Sequence, residues 1–207
     1  MELIDWSTII ASMITALATL SSVLLGQRLF RARQIHAECT KDPVVKDTLQ
    51  SRNVYKALEY ILEELKGDRA YVVEFHNGNH YLSGRGQQKF SCTHELVTEG
   101  TSRECIELQE YKVSNYHTYI SDLLDEGQFF CNDTVGLNDH AFSALLQSKG
   151  VKSILNVPIK TLNGNVIGIL GVDYVKSPIH DKELPYKDQA LLKFLKQQAR
   201  TIGGYLI

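Results

Sequence analysis

Residues able to do chemistry gather first around Glu74, His76, Asn77 and His80, with Cys92 and His94 following. Imidazole and thiolate are donors that zinc favours, and a carboxylate beside an imidazole can move protons. Cys92 and His94 are two residues apart, so on a regular strand they share a face. His76 and His80 flank Asn77-Gly78, which is turn chemistry, and a four-residue spacing pairs two imidazoles reliably only on a helix. The cluster is therefore read as polar strand-end residues satisfied by backbone and water, with His76 near a pocket mouth. No metal site is expected.

A second set is the thiols Cys131, Cys92 and Cys105. A thiolate can attack a sulfoxide, and another cysteine can resolve the sulfenic acid formed. These three are the catalytic candidates if the chain is an enzyme. The plainer reading is that they are small buried hydrophobes, and no enzymatic activity is expected. The four cysteines form no CxxC pair, and nothing suggests a disulfide framework.

A third set could hold a ligand. Asn156 and Asp173 stand inside otherwise apolar segments, and a buried amide or carboxylate needs a partner. In the run Phe129-Phe130-Cys131-Asn132-Asp133-Thr134, aromatic rings can wall a ligand while Asn132 and Asp133 orient it.

These groups need elements to position them. Asp42-Pro43 reads as a helix start, with Asp42 as cap. Val45, Leu49, Val54, Leu58, Ile61, Leu62 and Leu65 recur at helical spacing up to a stop at Gly67. Arg69 to His76 alternates as a strand, with Tyr71, Val73 and Phe75 on one face and Ala70, Val72, Glu74 and His76 on the other. Lys89 to Val97 is the returning strand. A polar, helix-rich segment follows, then a short strand from Gln128 to Asp133 and a helix from Asp139 to Lys149. Ser153 to Thr161 and Val166 to Val175 are strands joined by a tight turn at Leu162-Asn163-Gly164. An amphipathic helix runs from Pro185 to the end. The fold class is α+β: one antiparallel sheet, apolar on both faces and covered on both. The first and last helices cover one face. The middle helices and loops cover the other and leave room for a pocket.

The N-terminus is of another kind. Trp6 to Gln27 holds no charged residue and is about as long as the ~20 residues that cross a bilayer. Glu2 and Asp5 precede it; Arg28, Arg31 and Arg33 follow. That asymmetry predicts a single-pass membrane protein, N-terminus outside and the C-terminal domain cytoplasmic. The organisation expected is a transmembrane anchor over 1–27, a helical connector over 28–43 and a folded domain over 44–207. Small residues four apart, such as Ala11 with Thr15, favour close helix approach and a homo-oligomer. A net charge of -2 over 207 residues and no dense basic patch give no support for nucleic acid as a partner.

The element order, together with GVKSILNVPIKTLNGNVIGILGVDYV from Gly150 to Val175, resembles the GAF domain. Ser153, Leu155, Pro158, Gly168 and Leu170 fit that family's strand–turn–strand pattern. The resemblance implies a six-stranded antiparallel sheet, a pocket beside the Phe129–Thr134 segment, and a small ligand such as a cyclic nucleotide, bilin, haem or amino acid. No cyclic-nucleotide signature or bilin-attachment cysteine is discernible, so the cofactor is unknown. One branch of the family, the free methionine-(R)-sulfoxide reductases, is similar in its cysteines, although over twenty residues separate Cys131 from Ser153. The string Glu74-Phe75-His76-Asn77-Gly78 behind an anchor looks like stand-alone chains of large bacteriophages. With no segment after the closing helix, the expectation is a sensor acting through its own assembly or a separate partner. The competing expectation is an assembly protein whose GAF-like fold has lost its ligand.

Overall fold

The computed structural model describes residues 15–17, 19–28, 42–184 and 188–207. The chain divides into two compact units, Met1–Leu49 and Gln50–Ile207. In the first, residues 15–17 and 19–28 are helical. The hydroxyls of Thr19, Ser21 and Ser22 turn back onto carbonyls one helical turn earlier, which lets polar residues ride an apolar helix. Among the described residues no helix is long and apolar enough to cross a membrane. Much of the expected span lies outside them, since residues 1–14 and 18 are not described; nor are residues 29–41 of the connector.

Helix α1 spans Pro43–Leu65. Asp42 Oδ1 accepts from the Val44 N–H at 2.8 Å, the cap that the Asp-Pro pair predicts. In the second unit α1 buries Val54, Leu58, Ile61, Leu62 and Leu65. Its end differs from expectation. Lys66, not Gly67, takes the left-handed conformation, with φ of 52°. Gly67 is needed for room instead: a Cβ there would lie 2.4 Å from Val172 Cγ1.

The sheet comprises β1 (Arg69–His80), β2 (Gly86–Val97), β3 (Tyr111–Lys112), β4 (Phe129–Cys131), β5 (Ser153–Lys160) and β6 (Val166–Tyr174). Its order is β3-β2-β1-β6-β5-β4, antiparallel throughout. Helices α2 (His117–Glu126) and α3 (His140–Ser148) fall between β3 and β5, and α4 (Asp188–Tyr205) closes the chain. Each sheet face carries its own core. Ala70, Val72, Leu155, Val157, Leu170 and Val172 pack with the apolar residues of α1 and α4. Val73, Phe90, Cys92, Ile154 and Ile169 pack with Tyr119, Ile120 and Leu123 of α2 and Phe142 and Leu146 of α3. Covering both faces is the expected solution for strands apolar on both sides.

The first hairpin corrects two expectations. β1 runs on to His80, which pairs with Gly86, so Asn77-Gly78 lies in the strand and the turn follows Tyr81. The pairing also shifts between Val72↔His94 and Val73↔Cys92, leaving Thr93 as a bulge in β2. An extra residue reverses the facing of everything beyond it. Cys92 therefore joins the α2/α3 core. His94 turns to α1, where its Nε2 lies 3.0 Å from Ser51 Oγ and its ring sits edge-on to Tyr55. The two do not share a face.

Candidate functional site

A pocket lies between the sheet and α2, α3 and the loop after β2. Its floor is β-strand: Tyr71 and Val73 from β1, Cys92 from β2, Asn156 from β5, Ile169 and Asp173 from β6. Its cover includes Tyr119 of α2, Phe142 and Leu146 of α3, and Cys105 and Leu108 of the loop. The free space is about 50 Å³, in a cleft of about 570 Å³ that takes in open solvent.

The floor exists because one position has no side chain. Gly171 pairs with Tyr71 on one side and Asn156 on the other. A Cβ there would lie 2.2 Å from the Tyr71 ring and 2.5 Å from Asn156 Oδ1. The space lets three side chains bond in a row: Tyr71 Oη donates to Asn156 Oδ1 at 3.1 Å, and Asn156 Nδ2 donates to Tyr119 Oη at 2.6 Å. Tyr119 in turn stacks on Phe142 with centroids 3.7 Å apart. The two helices that carry this cover share a cap, since Asp139 accepts from the N–H of Phe142 and of Tyr119.

One end of the pocket is charged. Arg69 is buried at 2% exposure, with Nη1 2.7 Å from Asp173 Oδ2, Nε 3.4 Å from Glu95 and Nη2 3.6 Å from Glu104. Nη2 also donates to the Ser102 carbonyl at 3.0 Å. Glu95 accepts the backbone N–H groups of Glu104 and Cys105, and Glu104 pairs with Lys149 at 2.8 Å. This network fastens the loop over the pocket. Three carboxylates face two cations, and Asp173 Oδ1 is buried without a hydrogen-bond partner. Burial raises the Asp173 carboxyl to about 6, a rise that Arg69 limits and Glu95 adds to. The Tyr71 hydroxyl lowers it by more than Glu95 raises it, yet the hydrogen bond that this hydroxyl donates goes to Asn156 Oδ1.

Of the residues singled out in the sequence, Asn156 and Asp173 reach this pocket, as do Cys92 and Cys105. Phe129 is a layer behind, edge-on to Tyr119 and Phe142. Phe130 points outward at 39% exposure. Asn132 and Asp133 line a separate surface hollow with Lys152 and His180. His76 lies outside, with Nε2 2.9 Å from Ser91 Oγ and 3.8 Å from Glu110. Cys131 is not in the pocket lining; its Sγ contacts the Asp133 carbonyl at 2.9 Å. Burial raises all three thiols above their ordinary range, Cys92 most clearly. A thiol so placed is a poor nucleophile. Among the described residues no three His, Cys, Asp or Glu side chains converge to hold a metal ion.

Sequence reasoning missed Arg69, Tyr71, Glu95, Tyr119 and Lys149. One signal was available: an arginine opening an otherwise apolar strand must be paired if it is buried.

A family model for the GAF domain matches residues 52–205. Solved structures share the fold at low identity. The GAF domain of PixJ from Thermosynechococcus elongatus, in its blue-light absorbing form, matches at TM-score 0.58 and 16% identity over 78% of this chain and 86% of that one. The photoproduct state of GAF3 from Slr1393 of Synechocystis sp. PCC6803 matches at 0.55 and 15%, over 76% and 92%. The GAF domain region of a Geobacter sulfurreducens protein described as a putative membrane protein matches at 0.56 and 17%, over 78% and 95%. No curated protein matches the chain.

Proposed function

The chain belongs to the GAF domain family, and on that premise we propose that it is a sensory binding module whose ligand site is the pocket between Asp173, Asn156 and Tyr119. The observation that carries this reading is Asp173 Oδ1: a buried carboxylate oxygen with no hydrogen-bond partner, on a residue that lines the pocket. Folding does not leave such an atom unpaired without cost, and a bound guest removes the cost. The free space is about 50 Å³, against ~300–1,000 Å³ for drug-sized ligands. A bilin or haem does not fit unless the covering loop moves. A small molecule, or the head group of a larger one, does.

The apolar, charge-free run over Trp6 to Gln27, followed by arginines, supports a membrane tether with the domain in the cytoplasm. The Glu74–Gly78 string supports a bacteriophage membrane protein as its setting. Signalling then passes through self-association or a separate partner, and α1, which leads from the tether into the domain, is the element a ligand would bias. Thiol-dependent catalysis is disfavoured by the burial of Cys92 and the absence of Cys131 from the pocket lining.

The small volume favours a second reading, an assembly protein with a ligand-free fold. Native mass spectrometry of the full chain in mild detergent separates the two, because it reports retained mass and oligomer number together. A small molecule lost on Leu145→Trp supports the sensor. Well-folded protein that carries no added mass, with oligomer number unchanged by Leu145→Trp, overturns it.

A further inference from the structure

The sensory reading leaves the ligand's chemistry open, and the pocket constrains it. Arg69 and Lys149 are both committed, the first to Asp173, Glu95 and the Ser102 carbonyl, the second to Glu104. The five charged groups lining the pocket carry one more carboxylate than cation. An anionic guest would add to that excess in a desolvated site. The orphaned Asp173 Oδ1 is an acceptor and requires a donor. Apart from the Asn156 amide and the thiols of Cys92 and Cys105, the rest of the wall is aromatic and aliphatic, with the rings of Tyr71, Phe90, Tyr119 and Phe142. Aromatic faces attract cations, most strongly where water is excluded.

We propose that the pocket takes a small ammonium-bearing ligand, its charged nitrogen donating to Asp173 Oδ1 beside the Tyr71 and Tyr119 rings. The guest nitrogen restores charge balance and satisfies the one buried side-chain atom left unpaired among the described residues. The free space, about 50 Å³, admits ammonium or methylammonium, or the primary amine end of a longer molecule whose remainder leaves towards solvent. A quaternary ammonium has no N–H to donate.

The inference rests on the sensory reading, and its test distinguishes the two. The full chain in mild detergent is titrated with methylammonium chloride against sodium chloride at equal ionic strength. Tetramethylammonium, acetate and acetamide are run in parallel, with melting temperature and calorimetry as readouts. Methylammonium is expected to raise Tm at pH 7.5 where the other probes do not. Its affinity should fall at least about tenfold in Asp173→Asn. Should that variant not fold, the wild-type chain at pH 5 supplies the same contrast. Asp173 is then mostly protonated, facing Arg69, Glu95, Glu104, Lys149, Tyr71 and Tyr119, and affinity should again fall about tenfold. Equal response to methylammonium and sodium, or an undiminished response in folded Asp173→Asn, overturns the proposal. Stabilisation by acetate or acetamide instead overturns the amine and leaves the sensory reading standing. No response to any probe, with no mass retained from the cell, removes both.

Discussion

Arg69 Nη1 and Asp173 Oδ2 are 2.7 Å apart in the interior, and the contact leaves Asp173 Oδ1 unpaired. The carboxyl is accordingly raised to about 6, from an ordinary 3.8. The folded chain then holds this proton more tightly than the unfolded chain. Its contribution to stability is complete below about pH 4, declines as pH rises to about 6, and is level above that. The decline amounts to about 3 kcal/mol. Glu104 behaves oppositely. Burial pushes its carboxyl up, but bonds from Lys149 and Ser102 outweigh this and lower it, so its contribution is lost only as pH falls below the ordinary carboxylate range. Urea unfolding of wild type and Asp173→Asn across pH 4 to 6.5 checks the claim. The gap between the two should narrow or reverse as pH rises, and a constant gap would refute the assignment.

Gly171 keeps the pocket floor open, so Gly171→Ala should push apart the Tyr71 ring and the Asn156 amide. A loss of about 1–3 kcal/mol is expected from overpacking. Asn156→Ala should cost about as much by a different route, because it strands the Tyr71 and Tyr119 hydroxyls. Gly204, on the exposed side of α4, is the control, because a Cβ added there would meet nothing within 4 Å. Gly204→Ala should be neutral or stabilising by up to ~1 kcal/mol. Thermal denaturation ranks the three.

Lys66 adopts φ of 52° where a helix ends. Lys66→Gly relieves that conformation and should stabilise by a few tenths to about 1 kcal/mol, whereas Gly67→Ala should destabilise against Val172. If Lys66→Gly lowers the urea midpoint, the left-handed helix end is wrong.

The thiols give a fourth expectation. In a Cys39→Ser chain at pH 8, Cys92 should react with a thiol reagent at least about a hundredfold more slowly than in urea, because burial holds it protonated and covered. Cys105 and Cys131, half-buried and also raised, should be intermediate. A thiol that reacts faster in the folded chain than in the unfolded one would reopen the reductase reading.

Five of the six strands in their order along the chain, the helix cap at Asp42, and the division of β1 into two faces were legible from local pattern; the two-residue β3 was not. Asn156 and Asp173 were legible for the same reason: a polar residue in an apolar strand is visible without coordinates. Phe130, Asn132 and Asp133 were misplaced because a three-residue strand does not specify which way its ends turn. Cys92 and His94 were read as sharing a face because nothing in the residue types at Thr93 announces a bulge.

Composition and periodicity settle which segments form strands and helices, since those depend on neighbours within a few positions. The pocket depends on residues far apart in the chain. Arg69 meets Asp173 across 104 positions, and Tyr71 meets Asn156 across 85. Only strand register brings them together, and only the finished packing shows that one carboxylate oxygen at their centre has nothing to bind.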